Sequence, residues 1–265
     1  MIRLGVCGWP VGHSRSPAMH NAALAAVGLH GWRYQHLPLP PELFAETVRA
    51  LPAAGFRGIN VTVPHKEAAL ALADDASDSA RAIGAANTLT FADGRTHADN
   101  TDAPGLLAAL PRPPAGAGAL VLGAGGAARA AVWALRQAGA AEVRLWNRSP
   151  ERAAALAAEL GAIAVSAPGP AEILVNRTTV GLEWGDDPFK GLCLRADDWG
   201  AGTLVVDMVY RRGGTLLVRT ARANGAEVVD GLEVLVAQGA ASFERWTGRT
   251  APDQAMREAV ADIAS

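Results

Sequence analysis

One stretch constrains the fold of this 265-residue chain more than any other. Ala119-Leu120-Val121-Leu122 is a short apolar run that passes directly into Gly123-Ala124-Gly125-Gly126-Ala127-Ala128. An apolar run without alternation suits a strand covered on both faces, as in a parallel sheet. The glycine string fits G-x-G-x-x-A, and a helical segment over 128–138 follows it. Strand, glycine turn and helix in that order make a dinucleotide site. The glycines let the backbone turn sharply and approach a pyrophosphate, which then lies against the positive end of the helix. The chain is therefore expected to be α/β, with a Rossmann-type half built around this turn.

The strand after that helix, 142–146, ends in Asn147-Arg148-Ser149-Pro150-Glu151-Arg152. A site for NAD usually has Asp or Glu at the end of this strand to accept from the ribose 2′-hydroxyl, whereas arginine accommodates a 2′-phosphate. Here the strand end has no acid, and one helical turn separates Arg148 from Arg152, so both guanidinium groups can reach one phosphate. Taken alone, each arginine would be read as a solvated surface residue. Behind a glycine turn, NADP is the better reading.

Strand-like and helix-like segments alternate along the rest of the chain. The pattern predicts a strand over 2–7 and a helix over 16–27, capped by Ser16 with Pro17 in its first turn. It then predicts a helix over 41–51, a strand over 58–63, and a helix opened by Pro64 and running to 73. A strand over 88–91 precedes the turn Asp93-Gly94. Pro111-Arg112-Pro113-Pro114 reads as a linker by composition. Beyond it, strands and helices alternate to residue 225, and a last helix covers 232–246. The boundary between the two halves is expected near 102–115, and pattern alone does not assign the last helix to either half.

Composition excludes several classes. Half of the residues are hydrophobic and 19% are charged, enough apolar material for a core and too much for disorder. The net charge is −2, so no basic field invites nucleic acid. Cys7 and Cys193 are the two cysteines, far apart and in no metal-like spacing. They form no disulfide framework, which suits a reducing compartment, and Cys7 reads as a small core residue. No leader-like segment and no membrane-spanning run is evident, so a cytoplasmic protein is expected. His13, His20 and His65 are scattered and read as loop or helix-face residues, not metal ligands.

Three short polar runs in the first half do not look like ordinary loops. In Gly12-His13-Ser14-Arg15-Ser16-Pro17, the two serine hydroxyls could bind a small carboxylate. Capping would explain Ser16 but not Ser14. In Asn60-Val61-Thr62-Val63-Pro64-His65-Lys66, Asn60 and Thr62 are two apart on a strand and share a face. Lys66 falls in the first helical turn, where a cation meets the positive end of the dipole at a cost of ~0.3–1 kcal/mol. The same field favours release of its proton, although an exposed lysine would simply point to water. In Asn100-Thr101-Asp102, Asp102 is placed to cap a helix over 104–110, and a carboxylate there could also hold Lys66.

These runs carry a specific resemblance. Gly8 to Asn21 (GWPVGHSRSPAMHN), Gly58 to Lys66 (GINVTVPHK), Gly84 to Leu89 (GAANTL) and Asp99 to Asp102 (DNTD) resemble signatures of the shikimate dehydrogenase family. So do the glycine turn, Asn147-Arg148-Ser149, Asp207-Met208-Val209-Tyr210 and Gly231 to Gly248 (GLEVLVAQGAASFERWTG), in order over nearly the whole chain. The resemblance implies a substrate-binding and catalytic domain over 1–102, completed by a C-terminal helix over 235–265, and an NADP-binding Rossmann domain over 103–234. It implies reversible, NADPH-dependent reduction of 3-dehydroshikimate to shikimate. Lys66 and Asp102 would be the catalytic pair, with Ser14 and Ser16 on the substrate carboxylate. Asn60, Thr62, Asn87, Tyr210 and Gln238 would contact the ring substituents. Gly123, Ala124, Gly125, Gly126, Ala127, Asn147, Arg148, Ser149, Arg152, Thr178, Met208 and Gly231 would hold the cofactor, with Asp78 as an addition.

The residues themselves support part of this. Tyr210 follows a strand over 203–206, at the carboxyl end where open α/β sheets bind ligands. Gln238 shares a helix face with Leu235, Ala241 and Ser242, and an amide on an apolar face needs a partner, either a ligand hydroxyl or a neighbouring loop. Two departures from the family pattern stand out. Arg177 follows Asn176 where a small residue is usual, and Arg211-Arg212-Gly213-Gly214 follows Tyr210 where proline is common, which implies a freer loop. Quinate/shikimate dehydrogenase of the same family, a non-catalytic ligand-sensing regulator on the same fold, and an enzyme for an amino- or deoxy-substituted analogue are the alternatives. Retention of Lys66 and Asp102 argues against the regulator. Association is open between monomer and homodimer.

Overall fold

The computed structural model describes residues 1–183 and 185–261; residues 262–265, placed by sequence at the end of the C-terminal helical segment, lie outside the described residues. The chain forms two compact units, one made of residues 1–105 with 235–261 and the other of residues 106–234.

The first unit opens with β1 (Ile2–Gly8), α1 (Ser16–Ala26) and β2 (Trp32–Pro38). A 3₁₀ turn at Pro41–Leu43 leads into α2 (Phe44–Ala50), followed by β3 (Phe56–Val61), α3 (Lys66–Leu72), β4 (Asp75–Ala76) and α4 (Asp78–Ile83). The hairpin β5 (Thr88–Ala92) and β6 (Arg95–Asp99) then leads to α5 (Asp102–Ala109), within which the chain passes to the second unit. The sheet runs β2-β1-β3-β5-β6-β4, with β5 antiparallel to both β3 and β6. Cys7, Ile59, Val61, Leu89 and Phe91 from the strands bury against Phe44, Val48, Ala69 and Ala80 from the helices. Burial pushes the Cys7 thiol up to about 12, so it packs as an inert apolar group.

In the second unit, β7 (Gly118–Leu122), α6 (Gly126–Gln137), β8 (Glu142–Trp146), α7 (Pro150–Leu160), β9 (Ile163–Ala164) and β10 (Ile173–Asn176) come first. After them come α8 (Pro188–Gly191), a 3₁₀ turn at Ala196–Asp198, β11 (Leu204–Asp207), α9 (Leu216–Ala223) and β12 (Glu227–Asp230). The wholly parallel sheet has the order β12-β11-β10-β7-β8-β9, the doubly wound dinucleotide arrangement with β7 as its first strand. Ala119 and Val121 pack into one core, and Leu120 and Leu122 into another on the opposite face. That explains the unbroken apolar run. The chain returns to the first unit within α10 (Gly231–Thr247) and ends its described part in α11 (Asp253–Ala261), which packs on α1.

Several expected boundaries move, for local reasons. Ser16 is the first residue of α1, not its cap; Arg15 holds the cap position without a side-chain bond. The Ser14 hydroxyl accepts from the Ser16 N–H at 3.3 Å, so Ser14 does the work expected of Ser16. Helix α3 starts at Lys66 because Thr62 to His65 first closes a turn, the His65 N–H reaching the Thr62 carbonyl at 3.0 Å. Asp102 lies inside α5 and does not cap it; Asn100 Oδ1 accepts from the Ala103 N–H at 3.3 Å. The strand expected over 58–63 is β3, ending at Val61, and the helix expected over 41–51 divides into the 3₁₀ turn and α2. The Asp93-Gly94 turn forms as expected, with positive φ at both residues (51° and 72°), as a tight two-residue hairpin loop requires. Strands β2 and β6 did not stand out in the sequence, and the C-terminal helix expected over 235–265 divides into α10 and α11, the break opening at Gly248 with φ 66°. In β2 the polar residues Arg33, Gln35 and His36 mask the strand. Among the described residues no helix is long and apolar enough to cross a membrane.

Candidate active site

The first unit gathers polar side chains at the carboxyl ends of β1 and β3, beside β5 and α10. Lys66 starts α3, so its side chain is set by the turn Thr62–His65; Asp102 is set by the end of β6 through Asn100 and Thr101. The Lys66 ammonium donates to Asp102 Oδ2, and both residues are nearly buried, at 8% and 5% exposure. A buried ion pair persists only when its remaining lone pairs are satisfied. Asp102 Oδ1 accepts from Asn87 Nδ2 at 3.2 Å.

Asn87 links this pair to the rest. Its Nδ2 also faces Thr101 Oγ1 at 2.9 Å and Gln238 Oε1 at 3.3 Å, while its Oδ1 accepts from the Thr101 N–H at 2.7 Å. An amide nitrogen has two hydrogens, and here it meets three acceptors. Acceptor capacity is thus left over at Asp102 and Gln238, which suits a ligand that brings hydroxyl donors. Gln238 is held in place by its own Nε2, which donates to the Leu235 carbonyl at 2.9 Å. Of the two partners anticipated for Gln238, the structure provides protein ones and leaves Oε1 the less committed end.

A layer of hydroxyls supports the amides. Ser242 Oγ lies 2.9 Å from Asn60 Nδ2, 2.9 Å from Thr88 Oγ1 and 3.0 Å from Thr101 Oγ1, and donates to the Gln238 carbonyl at 3.1 Å. Asn60 Oδ1 accepts from the Tyr34 hydroxyl at 2.7 Å. Both polar atoms of Asn60 are therefore engaged by the protein, and it braces the network. Tyr34 is stacked on His20 with ring centroids 4.3 Å apart and planes 8° apart. His20 has no exposed surface, and burial pushes its imidazole down to about 3, against a smaller opposing pull from Asn60. The ring is neutral packing material. His65 is likewise buried, stacked on Phe44, with Nε2 2.7 Å from the Leu39 carbonyl.

The serine pair lies on the loop before α1. Ser14 Oγ donates to Ser16 Oγ at 3.1 Å, Ser14 being half-buried and Ser16 buried. Thr62, just past β3, is half-buried, and its backbone N–H reaches the Cys7 carbonyl at 2.8 Å. Tyr34, Thr88, Thr101 and Ser242 are members of this cluster that were not assigned from sequence. Ser242 carried a usable signal, four residues from Gln238 and so on its helix face; Thr88 and Thr101 lay in runs that stood out, without a role of their own.

In the second unit the glycine turn has the backbone its residue types predict. Gly123 has φ 107°, and a Cβ there would come within 3.2 Å of the Arg177 carbonyl oxygen, so both conformation and space call for glycine. Gly125 is exposed at the N-cap of α6, and no side chain caps that helix. Gly126 and Ala127 form its first turn, with Ala124 before it. Asn147 Nδ2 donates to the Ser149 carbonyl at 3.0 Å, and Ser149 is the N-cap of α7 without a side-chain bond of its own. Arg148 and Arg152 are exposed, and neither has an ion pair among the described residues. Two cations and open first-turn N–H groups beside a glycine turn fit a phosphorylated dinucleotide.

The other cofactor candidates group at the ends of β10, β11 and β12. Asn176 Nδ2 donates to Asp207 Oδ1 at 2.9 Å, and Asn176 Oδ1 accepts from Thr178 Oγ1 at 2.8 Å. Burial raises the Asp207 carboxyl to about 6, while bonds from Thr215, the Val209 N–H and Asn176 pull the other way. Gly231 is required by close approach: a Cβ there would lie 2.4 Å from the Met208 carbonyl oxygen. Tyr210 is half-buried on the loop after β11, in this same unit. Asp78 belongs to the first unit, unlike the other cofactor candidates, and is exposed in the first turn of α4. Among the described residues no cluster of His, Cys, Asp or Glu could hold a metal.

Residues 6–89 match the model of the shikimate dehydrogenase substrate binding domain, 112–174 that of shikimate / quinate 5-dehydrogenase, and 231–261 that of the shikimate 5′-dehydrogenase C-terminal domain. The chain is 46% identical over 272 residues to shikimate dehydrogenase (NADP(+)) of Paracoccus denitrificans, covering 97% of this chain and 94% of that one. It is 46% identical over 263 residues to the enzyme of the same name from Thermus thermophilus, covering 98% and 97%. The solved shikimate 5-dehydrogenase of Thermus thermophilus, in complex with NADP(H) and shikimate, superposes with a TM-score of 0.89 at 44% identity, covering 99% of this chain and all of that one.

Proposed function

The chain belongs to the shikimate dehydrogenase family, and from that premise we propose that it is an NADP-dependent oxidoreductase interconverting 3-dehydroshikimate and shikimate for aromatic amino-acid biosynthesis. The observation that carries the reading is the buried Lys66–Asp102 pair, set beside the acceptor-rich amides of Asn87 and Gln238.

In this reading residues 1–102 with the C-terminal helices form the substrate domain, and 103–234 the NADP domain. Bound NADPH supplies a hydride to the ring ketone. Lys66 donates a proton to the oxygen as negative charge develops there, and in the reverse direction takes it back from the hydroxyl. Asp102 holds the ammonium in place and accepts from a substrate hydroxyl. Ser14 and Ser16 take the substrate carboxylate; Thr62, Asn87, Tyr210 and Gln238 bind ring hydroxyls, with Asn60 bracing them from behind. A site built to bond hydroxyls discriminates strongly against analogues that lack them.

On the cofactor side, Gly123 to Ala127 approach the pyrophosphate, and Arg148 and Arg152 hold the 2′-phosphate beside Asn147 and Ser149. Thr178, Met208 and Gly231 line the remainder. Asp78 has the weakest support, since its carboxylate favours the start of its own helix. The near-balanced charge and the two free cysteines support a cytoplasmic enzyme, monomer or homodimer, without nucleic-acid or membrane partners.

The test is the absorbance change on NADP reduction with shikimate, run beside quinate and repeated with NAD. Turnover with shikimate and NADP is expected to exceed the other combinations. Absence of shikimate turnover overturns the reading, and a preference for quinate moves it within the family.

A further inference from the structure

The loop after β11 departs from the family pattern at Arg211, and the structure gives that residue a definite partner. Arg211 Nη1 donates to the carbonyl of Gly181 at 3.2 Å and to that of Glu183 at 3.1 Å. Both carbonyls belong to the turn after β10, the segment that begins with Thr178. The opposite side of that turn is also tied: Asp186 Oδ2 accepts from the Gly181 N–H at 2.8 Å and the Glu183 N–H at 3.2 Å. The turn is thus held by its N–H groups on an acid of its own and by its carbonyls on a cation from the neighbouring loop. Arg211 itself is fixed from behind, its carbonyl accepting from the Gly214 N–H at 2.9 Å. Gly213 and Gly214 have positive φ, 73° and 77°, so the backbone on that side carries little stiffness of its own.

We propose that Arg211 is a positioning residue: its guanidinium latches the Gly181–Glu183 turn to the loop that carries Tyr210, and so sets Thr178 and Tyr210 relative to one another. The ligand roles of Thr178 and Tyr210 rest on the function proposed above; the latch itself does not. It explains how a loop with Arg211 in place of the usual proline, and two glycines beyond it, keeps a side chain aimed. A charged donor on two carbonyls ties the loops more firmly than neutral bonds would. Because both bonds leave one nitrogen, an ammonium in the same place could make them too.

The experiment compares the wild type with Arg211→Ala and Arg211→Lys. Amide hydrogen exchange of the ligand-free protein is expected to rise roughly tenfold over residues 178–186 in Arg211→Ala, the size expected for losing charge-assisted bonds, and to return toward wild type in Arg211→Lys. In the NADP-linked assay, KM for shikimate is expected to rise several-fold in Arg211→Ala while kcat changes less, with partial rescue in Arg211→Lys. NADPH binding, read by its fluorescence, should weaken in parallel. Unchanged exchange over 178–186 overturns the latch, and so does a loss of kcat with KM intact, which would mark a general structural role. If the wild type itself turns over no shikimate, the functional reading fails while the exchange measurement still decides the latch.

Discussion

The two units prepare their chemistry in opposite ways. In the first, Lys66, Asp102, Asn87, Asn60, Gln238 and Ser242 are buried, and each is tied to another member of the group. In the second, the glycine turn is open and Arg148 and Arg152 stand in solvent. The first pays in advance for geometry, which a reacting centre needs, because a misplaced proton donor costs rate directly. The second leaves cations and N–H groups uncommitted, which a released cofactor needs, because each bond is then made only on binding. Pre-organisation and availability are separate designs, and this chain uses one in each unit.

The largest effect should come from breaking the first design. Lys66→Ala is expected to lower kcat by about 10²–10⁴, the usual worth of a positioned acid–base group. NADPH affinity, read by fluorescence titration, should stay close to wild type. Because the change strands Asp102 as a buried carboxylate, it should also lower stability, by ~3–5 kcal/mol for a fully buried pair, and urea unfolding reads this. Turnover that survives the substitution would remove Lys66 from the chemistry.

A smaller effect tests the second design. Arg148→Ala is expected to weaken NADP by roughly 10–100-fold, the value of a charge-assisted bond, and to leave NAD nearly unaffected. Salt should mimic the substitution, since the guanidinium is exposed. Equal losses for the two cofactors would show that Arg148 does not read the 2′-phosphate.

A third test, which leaves the chemistry untouched, separates the units by pH. His20 is held neutral, at about 3 against an ordinary 6.5, so its contribution is present above 6.5 and lost as pH falls toward 3. Asp207 is held protonated up to about 6 against 3.8, so its contribution is present below 3.8 and lost as pH rises through 6. Between pH 4 and 6 the two slopes oppose. His20→Phe, which keeps the stack on Tyr34, removes one of them. The difference in unfolding free energy between variant and wild type should change by ~1.4 kcal/mol per pH unit across that window, in favour of the variant toward acid. A flat difference would mean that His20 takes up protons freely in the folded protein.

What sequence reading reached follows from the kind of signal each residue leaves. The glycine turn was legible because its residue types, its strand and its helix are contiguous. Lys66 drew notice because a cation at a helix start runs against the dipole, but a lysine pointing to water fitted that equally, and its catalytic role came from the resemblance. For Asn60, pattern gave a face shared with Thr62 and the resemblance a substrate contact; neither gave the bonds it makes to Tyr34 and Ser242. Thr88 and Thr101 lay in runs that stood out but had no role of their own, and Tyr34 carried no signal. Their hydroxyls become partners only when distant segments meet, as Asn60 does with Ser242 across 182 positions. Arg211 was visible as a departure, and the freer loop it implied is in fact tied to Gly181 and Glu183, because its partners are backbone carbonyls that no sequence motif encodes.

Helix α10 supplies Gln238 and Ser242 to a network whose other members all precede residue 103. Without the later part of that helix, the first unit lacks the hydroxyl on which Asn60, Thr88 and Thr101 converge. A fragment stopped at residue 234 would therefore hold every cofactor residue proposed here and still lack a finished substrate side.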